Sequence, residues 1–158
     1  MNNYIIGYLA KIQCTNYKMV LNEIAKKYDI GLKEILIEQL FQFTEKYLPN
    51  KNQTNFIFSM SDDPEREEAD YLMDYLDYAP EMQSKFPSSG KERLLILISI
   101  LKDMVIQSKC SKLVISLTDS GYIYSYKRIK FNQLSEVLLD DFEKNQGAPD
   151  TLYEIICE

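Results

Sequence analysis

Apolar residues recur along this chain with two different periods, and the switches between them divide it into elements. Residues 3–13 alternate as a strand does. From Asn16 to Tyr28 the apolar positions Tyr17, Val20, Leu21, Ile24 and Tyr28 keep helical spacing, with Asn16 placed to cap the first turn. Gly31 interrupts the pattern. Leu32, Ile35, Leu36, Leu40, Phe43 and Tyr47 then share one helical face, so a second helix is expected until Pro49 stops it. A short strand follows at 55–60.

The next apolar arc, Ala69, Leu72, Met73, Leu76 and Ala79, predicts a helix that begins at Asp63-Pro64 and ends before Pro80. Ser89 and Glu92 form a capping-box pattern ahead of the run "LLILISIL", which reads as a buried helix reaching about residue 109. Leu113, Ile115 and Leu117, then Tyr122, Tyr124 and Tyr126, alternate on either side of Thr-Asp-Ser-Gly, the pattern of a hairpin. Those three tyrosines would either extend a surface made by the helix that begins at Asp63-Pro64 or pack under a helix, and the core placement is preferred. A helix over 132–144 turns Leu134, Val137, Leu138 and Phe142 inward and Glu136, Asp140, Asp141 and Glu143 outward. The last residues, "TLYEIIC", close the chain as a strand. Strands interleaved with helices predict an α/β fold, in the broad sense that includes α+β: one mixed or antiparallel sheet of about five strands covered by about five helices.

Length and composition fit that picture. A chain of 158 residues, 46% hydrophobic and 27% charged, suits a single globular domain over 1–158. The N-terminal stretch has neither a basic region nor a small-residue cleavage site, and no apolar run approaches the ~20 residues that cross a bilayer. Cys14, Cys110 and Cys157 are odd in number, widely spaced and outside any CxxC pattern. Together these lead to the expectation of a cytoplasmic protein with reduced thiols and no membrane segment.

Charge changes the picture at one place. Residues 61–81, "SDDPEREEADYLMDYLDYAPE", hold nine acids and one base, net −8. The whole chain carries −6, so everything outside this stretch sums to +2. On the expected helix, Asp70, Asp74 and Asp77 form an acidic row beside Tyr71, Tyr75 and Tyr78, with Asp63 and Glu67 at the edge. Part of this acidity stabilises a helix N-terminus, and a charge run is often a solvated face. The second reading is a binding surface, in which carboxylates steer a basic partner and tyrosines supply contact area.

Other chemistries have weaker signs. The chain has no histidine, which removes Ser-His-Asp, Cys-His and His-zinc sites. Phosphate-cradling glycine loops and the GxSxG elbow are missing too, and no cofactor is expected. Asp62, Asp63, Glu67, Asp70 and Asp74 are oxygen donors suited to magnesium, although their spacing matches no metal motif. Residues 21–40 resemble a helix-turn-helix, but the second helix would present Glu34 and Glu38 instead of basic base-reading side chains. A pI near 4.8 further opposes direct nucleic-acid contact.

In size, acidity and its tyrosine-rich acidic segment, the chain resembles the cytoplasmic immunity proteins that neutralise bacterial toxins, including those of contact-dependent growth inhibition systems and nuclease colicins. The resemblance is one of character and rests on no diagnostic motif. It implies a non-catalytic one-to-one complex with a cognate, basic toxin domain, made through Asp63, Glu67, Asp70, Tyr71, Asp74, Tyr75, Asp77 and Tyr78. A regulatory or adaptor module that binds a basic protein is the alternative, ahead of a magnesium enzyme or a DNA reader.

Overall fold

The computed structural model describes residues 3–78 and 85–157. Six strands form one mixed sheet: β1 (Ile5–Ala10), β2 (Gly31–Glu34), β3 (Phe56–Ser61), β4 (Lys112–Leu117), β5 (Ser125–Lys130) and β6 (Thr151–Ile156), in the order β2-β3-β1-β4-β6-β5. Every pairing is antiparallel except β5 with β6. Among the described residues four helices accompany it, α1 (Tyr17–Tyr28), α2 (Asp70–Met73), α3 (Gly90–Ser108) and α4 (Leu134–Asn145). The α/β expectation with a mixed sheet is met.

Strand alternation sorts the core into two layers. Ile5, Leu9, Phe58, Leu113, Ile115 and Ile155 point to the helix-covered face, where they meet Leu21 and Ile24 of α1, Leu97 and Leu101 of α3, and Leu138 of α4. Tyr8, Val114 and Leu152 point the other way, onto Leu40 and Phe43 from the segment that follows β2. α3 touches both α1 and α4, so its apolar run is central to the first layer, as its sequence implied. Ser89 caps it by accepting the Glu92 amide at 3.3 Å.

Two elements outside the acidic stretch depart from expectation. Residues 32–48 form no helix: β2 extends the sheet, and two short 3-10 turns, Ile37–Gln39 and Glu45–Tyr47, fold the chain over the second face. The helix-turn-helix likeness goes with it. β3 needs an edge partner, and the pairing of Gly31–Glu34 with it outweighs a helical periodicity that apolar residues of either layer could produce. The Ile35 amide continues the ladder by donating to the Ile57 carbonyl at 2.8 Å.

β4 and β5 are no hairpin, because β6 lies between them and pairs with both. Tyr122, Tyr124 and Tyr126 consequently stay outside the core, 64%, 73% and 42% exposed, contrary to their expected burial. Tyr126 stacks on Tyr47 with ring centroids 4.9 Å apart. Asp141 is also misplaced by the sequence reading: it is buried, with Lys127 Nζ at 2.7 and 2.8 Å and the Tyr153 hydroxyl donating at 2.7 Å. This contact ties α4 to the parallel pair β5 and β6. Asn16 precedes α1 but makes no side-chain cap, its oxygen accepting instead from the Cys14 thiol.

Candidate functional site

The acidic stretch is a loop with one helical turn, α2, where a helix from Asp63 to about Ala79 was expected. Pro64 is the central residue of an Asx turn, in which Asp63 accepts the Glu65 amide at 2.9 Å, so Asp63 caps no helix. Ala79, Pro80 and Glu81 lie outside the described residues. The cap of α2 comes from Asp62, only 2% exposed, whose two carboxylate oxygens accept the amides of Tyr71 and Leu72 at 2.9 and 3.0 Å. Burial raises the Asp62 carboxyl above its ordinary value, and the two amide bonds oppose that shift without cancelling it.

Why the turn does not propagate can be read from the groups competing for its backbone. Asp74 leaves the helix in extended conformation and accepts both the Leu76 amide, at 2.9 Å, and the Tyr78 hydroxyl, at 2.6 Å. In a continued helix the Leu76 carbonyl would face residue 80, a proline without an N–H. Arg93 of α3 supplies the donors instead. Fully buried, its guanidinium donates to the carbonyls of Pro87 at 2.7 Å and Asp74 at 3.0 Å, and also to that of Leu76. Its charge lies 4.1 Å from the centroid of the Tyr78 ring. The Tyr78 amide then donates to the Ser88 carbonyl at 2.8 Å.

The tyrosine row is dissolved by this path. Tyr71, Tyr75 and Tyr78 are half-buried and turned onto the body of the protein: Tyr71 beside Phe86 and Tyr78, Tyr75 beside Phe142. The Tyr75 hydroxyl donates to Glu143 at 2.6 Å, and that bond, aided by burial, pushes it up to about 12. Leu76, expected in the core, is 63% exposed. Asp77 is exposed and accepts the first amide of α3, that of Gly90, at 2.8 Å.

Of the eight residues singled out from sequence, Asp70, Asp74 and Tyr75 come together in one cleft of about 260 Å³. Asp119, from the loop after β4, joins them and was not picked out by sequence reasoning. Asn3 links the two acids, its amide donating to Asp70 at 2.6 Å and its side chain to Asp119 at 3.4 Å. Glu67 faces a different concavity of about 470 Å³ on the second face of the sheet, lined by Tyr4, Ile6, Ile35 and Phe41, with Lys33, Glu38 and Arg66 around them. Phe41 is 79% exposed there. Asn3 lines the acidic cleft and Tyr4 the apolar hollow; they are consecutive residues leading into β1, so both hollows lie at the same end of the sheet.

The five donors considered for magnesium do not converge: Asp62 is engaged below α2, Glu67 lines the apolar hollow, and Asp70 and Asp74 line the acidic one. Among the described residues no three Cys, Asp or Glu side chains are grouped so as to hold a metal ion, and no helix is long and apolar enough to cross a membrane. Comparison with models of protein families finds no match, and neither does comparison with curated proteins or with solved structures.

Proposed function

We propose that this protein is a non-catalytic, cytoplasmic immunity protein that binds and neutralises a basic toxin domain. The observation that carries the reading is an acidic cleft and an apolar hollow with an exposed Phe41 at the same end of the sheet. Protein interfaces pair an apolar anchor with a charged rim, and the rim sets encounter rate and partner choice. The anchor in this reading is Phe41 with Tyr4, and the rim is Glu67, Asp70, Asp74 and Asp119. The tyrosines at 71, 75 and 78 hold the acidic loop in place and touch the partner little.

The experiment is growth protection in cells that co-express a basic bacterial toxin domain captured with this protein by pull-down. Glu67→Lys and Asp119→Lys together reverse two exposed charges that accept no backbone amide, so the fold is spared. Wild type is expected to restore growth and the double variant to lose protection. No protection by wild type would remove the immunity reading. Equal protection by both would move the interface away from this end of the sheet.

A further inference from the structure

Cys14, Cys110 and Cys157 are far apart in sequence, yet the fold gathers them at one end of the molecule. The Cys14 amide donates to the Ser108 carbonyl at 3.1 Å, and the Cys157 amide to the Ser111 carbonyl at 2.9 Å. Ser111 in turn donates to the Ala10 carbonyl at 3.0 Å, so the ends of β1, α3 and β6 and the start of β4 all meet there. All three residues are thiols in this structure. Their positions differ in a useful way: Cys110 is 7% exposed, Cys157 is half-buried, and Cys14 is half-buried with its thiol given to Asn16 at 3.0 Å.

Cys110 belongs to the buried cluster against which Cys157 packs, and the Cys157 thiol donates to the Ile155 carbonyl at 3.4 Å. A side-chain hydrogen bond between Cys110 and Cys157 draws the Cys110 thiol below its ordinary value, despite burial acting the other way. A thiol so placed is a resolving nucleophile, and its more accessible neighbour is the one an oxidant reaches first.

We infer that Cys110 and Cys157 are a dithiol modification site that forms a disulfide by exchange with a low-molecular-weight disulfide. The Cys157 thiolate attacks one sulfur of the small disulfide, forming a mixed disulfide and releasing one small thiolate. The Cys110 thiolate then attacks the Cys157 sulfur and releases the second. The two protein thiols are oxidised, the small disulfide is reduced to two thiols, and these take up the two protons. The new bond closes a loop of roughly 50 residues and fastens the end of β6, a strand paired on both sides, to the start of β4. This site lies at the opposite end of β1 and β4 from the acidic cleft, and the inference does not depend on the proposed function.

The test uses the intact protein incubated with oxidised glutathione and then mapped by mass spectrometry without reduction. Wild type is expected to lose two hydrogens and yield a peptide linking Cys110 to Cys157, with a Tm raised on the order of 5–10 °C. Cys110→Ala should stop at a glutathione adduct on Cys157, and Cys14→Ser should behave as wild type. A wild type that accumulates the same adduct without the link overturns the inference, as does a link that uses Cys14. No oxidation of wild type under conditions that oxidise a surface dithiol control overturns it too. Because the decisive reading is made on wild type, a variant that fails to fold leaves the test intact.

Discussion

Arg93 shows how one side chain can decide the path of an acidic loop. A buried guanidinium with no carboxylate partner among the described residues is tolerated because three carbonyls and a tyrosine ring take the place of solvent. Arg93→Met keeps the volume but leaves those carbonyls without donors, and is expected to destabilise by about 3 kcal/mol or more. Arg93→Lys retains the charge without the fork and should fall between the two. Urea unfolding measures both, and a methionine variant within about 0.5 kcal/mol of wild type would sink this account.

Asp62 makes a prediction of opposite character. Its folded-state value is raised, so the native protein binds the proton more tightly than the unfolded chain. The stability this contributes is present in full below the unfolded value of about 3.9 and is lost as pH rises through the folded one. Asp62→Asn does not titrate at this position. The stability of wild type relative to this variant should therefore decline as pH rises from about 4 toward neutrality, and a difference that stays constant would contradict the burial argument.

At the level of elements, the acidic loop and α3 are held together by Gly90. A Cβ at this position would lie 2.0 Å from the Tyr75 carbonyl oxygen and 2.3 Å from its carbon, so the loop backbone rests where a side chain would stand. Gly90→Ala favours an exposed helix by about 1 kcal/mol on intrinsic propensity. Here the expected sign is reversed: the variant should melt lower and release the Tyr75 to Leu76 segment to protease. A raised Tm would show that the loop can shift at no cost.

The same contact explains which elements the sequence could announce. α1, α3 and α4 carry their own periodicity, α3 also its own N-cap, and β1, β3 and β6 their own alternation, so local pattern and tertiary role agree. The stretch around α2 is decided elsewhere: Arg93 and Ser88 lie beyond it in sequence, and Asp62 binds across nine and ten residues. Periodicity cannot report such donors. β2 and the segment after it likewise owe their form to the edge of β3 and to the bare second face of the sheet. For the site, sequence located the acidity but not its geometry. Asp70 and Asp74 were visible as acids, whereas Asp119 was legible only as part of a turn and Phe41 only as a position on a helix that does not exist.

Over the whole molecule the charge is separated. The acids of residues 61–81 outweigh one base by eight, while β5 carries Lys127, Arg128 and Lys130 at the far edge of the sheet. Within the acidic loop, five aspartates each accept at least one backbone amide. Such bonds fix the carboxylates without neutralising them, so the field at this end of the molecule is preorganised. Under the proposed function, a basic partner should then feel two separable effects. Glu67→Gln with Asp119→Asn removes rim charge and is expected to slow association roughly tenfold at low salt, the difference shrinking as the Debye length falls below about 8 Å. Phe41→Ala removes the apolar anchor and should instead speed dissociation, with little change in the salt dependence. Stopped-flow mixing with the toxin domain of the proposed complex separates the two rates. If both variants altered only dissociation, charge would act through contact and not through steering; if neither altered either rate, the partner would bind another face.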